Sequence, residues 1–270
     1  MTVHPLSQEH LPLIPGLQPP GWRDISPNFA FYVSVPFCLP VGVFEGSALI
    51  GIGAATRHRR SGWLGHIITH PEHRRRGVGS AIVKHLLDHL RNAGIGTVSL
   101  CATEEGYPLY RRFGFVDVAT YGFYEIDSPL GPHSASDTLR PAVEVAFSEI
   151  CELDRATTGE ERDELLRLHV REALVVTDSR TDASSLRGAY FPSLGEGLVI
   201  ARDPEAGRML LRHRLSDAAR CVVPAANSDA IEFLRIHGYR ATHEARRMTL
   251  GRPIAWNPER VYARVAGNLG

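Results

Sequence analysis

The chain has 270 residues, and Lys+Arg and Asp+Glu each number 30, so its formal net charge is zero. That balance excludes the dominant electrostatic footprint by which nucleic-acid and membrane-surface proteins hold their partners. Hydrophobic residues make up 43% and charged residues 22%, the proportions of a folded globular protein with room for one large domain or two ordinary ones. No apolar run approaches the ~20 residues of a membrane helix. The opening MTVHPLSQEH lacks a basic region followed by an apolar core, so a cytoplasmic location is expected. Cys38, Cys101, Cys151 and Cys221 lie far apart with no CxxC pair, which favours free thiols over a zinc site or a disulfide framework.

In chain order, Ser7 is placed to cap a short helix that must accommodate Pro12 and Pro15, and a Pro- and Gly-rich loop follows through Gly21. Val41–Phe44 and Ala48–Ala55 flank a turn at Glu45-Gly46, and Trp63–Thr69 follows a turn at Arg60-Ser61-Gly62, predicting an antiparallel meander. Val78, Ile82, Leu86 and Leu90 recur at four-residue spacing up to Gly94, the signature of an amphipathic helix. A strand at Thr97–Cys101, a short helix at Tyr107–Arg112 and strands near Phe115 and Tyr121–Glu125 complete the first half. Residues 128–141 have linker composition, dividing the chain into 1–127 and 142–270. Beyond them, Thr158 and Glu161 form a capping-box pattern ahead of Leu165, Leu166 and Val170. Strands are expected at 173–177, 188–191, 197–201, 220–223 and 241–250, with helices after Asp203 and from Ser228 to Gly238. The segments TVSLCATEEGYPLYRRFGF and RCVVPAANSDAIEFLRIHGY share one order of strand, loop, short helix and Gly-aromatic, which reads as two copies of one fold.

The most specific signal is IITHPEHRRRGVGSA. A strand ending at Thr69 leads into a loop carrying Arg74, Arg75, Arg76, Gly77, Val78 and Gly79, which opens directly into the amphipathic helix. Unpaired amides and the positive end of the helix dipole converge there and suit a pyrophosphate. Neither a G-x-G-x-x-G run nor a Gly-Lys-Ser/Thr sequence is present, so the Rossmann and P-loop alternatives do not apply.

Here the sequence resembles the GNAT superfamily of acyl-CoA N-acyltransferases, whose Gln/Arg-x-x-Gly-x-Gly/Ala signature is matched by Arg74, Gly77 and Gly79. The resemblance implies an α/β (α+β) fold with a mixed, largely antiparallel sheet and flanking helices. It makes Trp63–Thr69 the splayed fourth strand, with main chain around Ile67, Ile68 and Thr69 binding the pantetheine arm. The pyrophosphate would rest on the amides of residues 75–80, Ser80 included, and acetyl-CoA would be the co-substrate. Tyr110, four residues before Gly114-Phe115, matches the family's acid that meets the departing thiolate, and Thr103 stands where many relatives have a CoA-contacting Asn.

No general base is evident, because the positions that align with it hold Trp63, Gly65 and Val98. Glu104, Glu105 and His66 lie near the right region, and a water relay to a remote carboxylate is equally open. His66, His70, His73 and Glu72 could suggest a metal site, but the loop already serves the cofactor and the family's chemistry needs no metal, so none is expected. The second half resembles the smaller, degenerate GNAT-like domain that follows a working one in some bacterial acetyltransferases. Its loop reads Arg202-Asp203-Pro204-Glu205-Ala206-Gly207, which sets two carboxylates and a missing amide against phosphate, and Leu234 stands at the tyrosine position. The expected activity is acetyl transfer from acetyl-CoA to a primary amine, with a small-molecule acceptor, no nucleic-acid or membrane partner, and room for a homodimer. Opposed to it stand a catalytically inactive CoA-binding sensor or regulatory protein and a structural protein that keeps only the fold.

Overall fold

The computed structural model describes residues 1–132, 139–178 and 186–270. The chain opens with a short strand β1 (Val3–Pro5), a 3-10 segment at Gln8–Leu17 capped by Ser7, and helix α1 (Ser26–Ser34). The meander follows as β2 (Cys38–Glu45), β3 (Ala48–Arg57) and β4 (Gly62–Thr69). Next come α2 (Val78–Asn92), β5 (Thr97–Ala102), α3 (Tyr107–Arg112) and β6 (Val116–Glu125). The second half contributes β7 (Leu139–Pro141), α4 (Phe147–Thr158), α5 (Asp163–His169), β8 (Leu174–Thr177), β9 (Leu186–Phe191) and β10 (Leu198–Ala201). It ends with α6 (Pro204–Arg214), β11 (Arg220–Pro224), α7 (Ser228–Ile236), β12 (Arg240–Gly251) and β13 (Val261–Ala263).

The meander, the amphipathic helix and the mixed, mostly antiparallel sheet stand where the sequence places them. Three segments differ. Helix α1 stands in a stretch to which the sequence assigns no element, and it forms because Phe29 and Tyr32, three residues apart, bury one face against the core. Thr158 does not open a helix; it closes α4. Gly159 follows at φ +72° in the left-handed region, and the Thr158 hydroxyl donates to the Asp154 carbonyl at 2.9 Å. The upstream apolar positions Ile150 and Leu153 draw that residue into the preceding helix. The last three residues of the linker stretch form β7 and pair with β8, whereas residues 133–138 of it lie outside the described residues.

Two sheets result, in the orders β1-β2-β3-β4-β5-β12-β6-β11 and β13-β10-β9-β8-β7. The first crosses the division between the halves. β5 pairs antiparallel with β12, from Ala102 opposite Arg246 to Thr97 opposite Gly251. In return β6 pairs with β11, from Glu125 opposite Arg220 to Tyr121 opposite Pro224, and β6 and β12 pair with each other between them. β5-α3-β6 and β11-α7-β12 are the two copies of the internal repeat. Each copy therefore lends its last strand to the other, around an approximate two-fold relation.

Three apolar clusters follow from this layering. One packs α2, through Val78, Ile82, Leu86 and Leu90, on the strands of the first half, and includes Met248 from β12. Each such fully buried side chain contributes about 1.5–3 kcal/mol. A second fills the opposite face and joins the halves, with Phe29, Tyr32 and Ile52 meeting Ile150, Phe191 and Val265. The third lies within the second half, around Leu210, Leu211 and Leu234. Among the described residues no helix is long and apolar enough to cross a membrane.

Because β12 is an interior strand of the first sheet, a fragment 1–141 leaves two unpaired edges, and it should be aggregated or lack cooperative unfolding. Co-expression with 142–270 should restore a soluble complex. Circular dichroism and a urea titration of the isolated fragment check this, and a soluble 1–141 with a sharp transition would contradict it.

Candidate active site

β4 and β5 run parallel only where Gly62 meets Val98 and Trp63 meets Ser99. Beyond that point they diverge, and the main-chain groups of residues 65–69 facing β5 have no strand partner. A register shift against β3 between Ile52 and Ala54, with His66 at φ +51°, sharpens the departure. Ile67, Ile68 and Thr69 thus line one side of a wedge-shaped gap, and Cys101 and Ala102 line the other.

The gap opens onto the N-terminus of α2. Gly77 caps the helix at φ +87°, a conformation that costs other residues strain, and Arg75 before it stands at φ +59°. The first intrahelical bond runs from Ala81 N–H to the Gly77 carbonyl at 2.9 Å, so the amides of Val78, Gly79 and Ser80 have no intrahelical partner. A Cβ at Gly79 would come 3.3 Å from Leu109 of α3, so the small residue also lets the two helices approach. Two of the three arginines are engaged: Arg74 pairs with Glu105 at 2.6 Å, and Arg76 with Glu45 at 2.9 Å. The first of these ties the loop before α2 to the loop after β5.

Tyr110 of α3 faces the gap, 8% exposed. Burial, with Cys101 nearby, raises its pKa above the ordinary tyrosine value, so the phenol keeps its proton across the neutral range. Its ring packs edge-on to Phe115 at 5.9 Å, and no described residue hydrogen-bonds its hydroxyl. Thr103 plays a local part, accepting the Gly106 N–H at 3.2 Å at the start of α3.

The opposite face of the gap holds residues that sequence reasoning missed. Trp63 is fully buried and donates Nε1–H to Glu160 of the second half at 3.1 Å, and Ser61 also donates to Glu160. Gly65 abuts the backbone and Cβ of Asn268, leaving no space for a side chain there. The Asn268 amide donates to the Tyr32 hydroxyl, which lies 2.8 Å from His66 Nδ1. Tyr32 thus bridges Asn268 to His66 Nδ1, and burial, which pushes the imidazole pKa down, makes His66 a weak base. Glu104 and Glu105 are exposed, Val98 lies in the core, and Glu160 is wrapped by three donors, Arg247 included at 3.5 Å. No local sequence signal could have brought Tyr32, Asn268 and Glu160 to this place.

His70, Glu72 and His73 bring their ligand atoms within 4.8 Å of one another, with His66 outside the group. The Arg76 guanidinium lies 2.8 Å from His73 Nδ1, and that fixed positive charge opposes a cation there. In the second half the matching helix terminus is filled by the chain itself. Asp203 caps α6 by accepting the Ala206 N–H at 3.0 Å and pairs with Arg187 at 2.7 and 2.9 Å, while Glu205 pairs with the same arginine at 2.7 Å.

A strand that leaves its parallel neighbour and a glycine-capped helix at the mouth of the gap coincide with what comparisons of the chain find. The model of the acetyltransferase (GNAT) family matches residues 6–115, and that of an acetyltransferase (GNAT) domain matches residues 150–263. The chain belongs to the GNAT family. The uncharacterized N-acetyltransferase YedL of Escherichia coli is 35% identical to this GNAT protein over 98 residues, 34% of the chain and 59% of YedL. The chain thus spans about three-fifths of that relative's length. A putative acetyltransferase from Pyrococcus horikoshii has the same fold at a TM-score of 0.83, with 21% identity over 100% of this chain and 95% of the other. A GCN5-related N-acetyltransferase from Sphaerobacter thermophilus follows the fold at a TM-score of 0.62 and 16% identity, covering 94% of this chain and 97% of the other.

Burial pushes the pKa of His66 down to about 4 from its ordinary 6.5. As pH falls the unfolded chain takes the proton first, so this contribution is complete above pH 6.5 and is lost toward pH 4, about 2 kcal/mol of it by pH 5. His66→Gln should flatten the fall in urea-unfolding stability between neutral pH and pH 5 by that amount. His58, also lowered by burial, retains a remaining slope. An unchanged slope in the variant would refute the assignment of a neutral, buried His66.

Proposed function

We propose that this GNAT protein is an acetyl-CoA-dependent N-acetyltransferase acting on a small primary amine, with one working site per chain in the first half. The observation that carries the reading is a single wedge where an unpaired strand edge at Ile67–Thr69, the free amides of Val78–Ser80 and the unpartnered Tyr110 hydroxyl meet. The strand edge fits the amides of a pantetheine arm, which would pair with it as an added strand. The amides and Arg75 at the helix N-terminus fit the pyrophosphate. The thioester would then lie between the two strands, beside Tyr110.

In the reaction the neutral amine nitrogen attacks the thioester carbonyl carbon. A C–N bond forms, the C–S bond breaks with its electron pair on sulfur, and the nitrogen loses one proton to solvent. Tyr110, held protonated by burial, hydrogen-bonds the developing thiolate and supplies its proton, and the proton released by the amine to solvent restores the phenol, so that amine and thioester give amide and free thiol with no net proton change. Among the described residues of the gap no side chain is a strong acceptor for the amine's proton, which favours a water relay. In the second half Asp203 occupies the corresponding helix terminus, which supports a single cofactor site.

Acetyl-CoA should raise the melting temperature, with one CoA per chain by calorimetry. Gly77→Asp should abolish both signals, because a carboxylate at a left-handed position opposes phosphate and strains the turn. A folded Gly77→Asp that still binds, or two equivalent sites in the wild type, would overturn the assignment. Tyr110→Phe should keep that affinity and lower turnover by roughly 10²–10⁴-fold in a thiol-release assay, the range for a positioned proton donor. Unchanged turnover with chemistry rate-limiting would remove Tyr110 from the mechanism. A thermal shift without thiol release from any amine would favour the CoA-binding regulatory protein instead.

A further inference from the structure

The face of the gap opposite α2 is closed by the second half. Gly267 and Asn268 run beneath the point where β4 leaves β5: Asn268 lies under Gly65, and a Cβ at Gly267 would come 3.3 Å from Cβ of Cys101. Three residues before that floor stands Arg264, its side chain 7% exposed. It spends Nε and Nη2 on Glu196 at 3.1 and 3.3 Å, and its guanidinium lies 4.8 Å over the Phe123 ring. Nη1 has only the Cys101 sulfur, at 3.5 Å. A thiol sulfur is a weak acceptor, so a buried cation presents a strong donor, nearly unspent, at the edge of the gap.

The fixed charges around that donor have one prevailing sign. Glu196 is already neutralised by Arg264, and on the same face Glu160 is matched by Arg247 and Asp154 by Arg162. Arg214 stands behind it with its donors spent on the carbonyls of Gly197, Arg220 and Glu196. Arg23 is exposed on the loop that carries Trp22, and its charge acts on Glu196. Trp22 stands edge-on to His66 at 6.3 Å on the same side, and His66 is neutral. A net positive wall repels a polycation and attracts an anionic group.

We propose that the acceptor is a small amine that also bears a carboxylate, bound between the two halves, with Arg264 Nη1 and Arg23 taking the carboxylate and Gly267-Asn268 forming the floor beneath the amine. This rests on the N-acetyltransferase reading above and narrows its acceptor class.

The test is thiol release from acetyl-CoA with a panel of α-amino acids, the same amines lacking the carboxyl group, and a linear polyamine. The carboxylate-bearing amines should be favoured by about 10–100-fold in kcat/KM, the scale of one charge-assisted hydrogen bond. Arg264→Lys and Arg23→Gln should each erode that preference, chiefly through KM, while the acetyl-CoA thermal shift stays intact. Arg23 is exposed, so its variant decides the matter even if Arg264→Lys fails to fold. Equal turnover with and without the carboxyl group, a preference for the polyamine, or a preference untouched by Arg23→Gln would overturn this inference while leaving acetyl transfer standing. Absence of any acetyl-CoA thermal shift in the wild type would instead bring down the N-acetyltransferase reading, and this inference with it.

Discussion

The reciprocal loan of β6 and β12 is the constraint from which the rest of the molecule follows. β5 must part from β4 to make the gap, and a strand that gives up one neighbour needs secure pairing on its other side. That pairing comes from β12, a strand of the second half, from Thr97 opposite Gly251 to Ala102 opposite Arg246. The opened wedge is therefore held apart by residues encoded far downstream of it. The same strand carries Met248 into the core beneath α2 and pairs Arg246 with Asp117 of β6 at 3.2 Å, so one element contributes both apolar and ionic contacts between the halves.

How much of this is legible in the sequence depends on how local each cause is. The glycine-capped loop and α2 are written in consecutive residues, since Gly77, Gly79 and the four-residue spacing from Val78 to Leu90 need no distant partner to be understood. The meander is likewise set by its turns. Helix α1 was hidden because burial of Phe29 and Tyr32, a tertiary event, decides it. Thr158 carries a sound capping pattern, but Gly159 and the apolar positions behind it claim that residue for the end of α4. The strand exchange leaves no local trace at all. The internal repeat shows that two copies exist, and it says nothing of which copy each strand joins.

The same division holds for the site. Tyr110 and the glycine-capped loop sit in contiguous motifs, whereas Tyr32, Glu160, and Arg264 with Asn268 reach the gap from three separate segments and are joined only by packing. The second half shows what the first would look like with the N-terminus of its helix filled by the chain. Asp203 supplies from the chain the negative charge that a helix terminus attracts, and Arg187 holds it there with two hydrogen bonds. Filling the helix terminus in this way leaves the sheet undisturbed, because the strands that bind the halves together lie elsewhere.

The placement of β12 also dictates the order of events on the ribosome. β5 is complete at residue 102, yet its native partner is finished only when residue 251 has been made. Throughout that interval the nascent first half has β5 without its final neighbour, and β6, already synthesised, is the nearest strand able to pair with it wrongly. Native assembly must wait for the last strands to slip between two that are already neighbours in sequence. Such late, long-range closure makes for slow folding and a prolonged exposure of a strand edge. Of all the protein's regions, the nascent edge at Thr97–Ala102 is the one most in need of a chaperone.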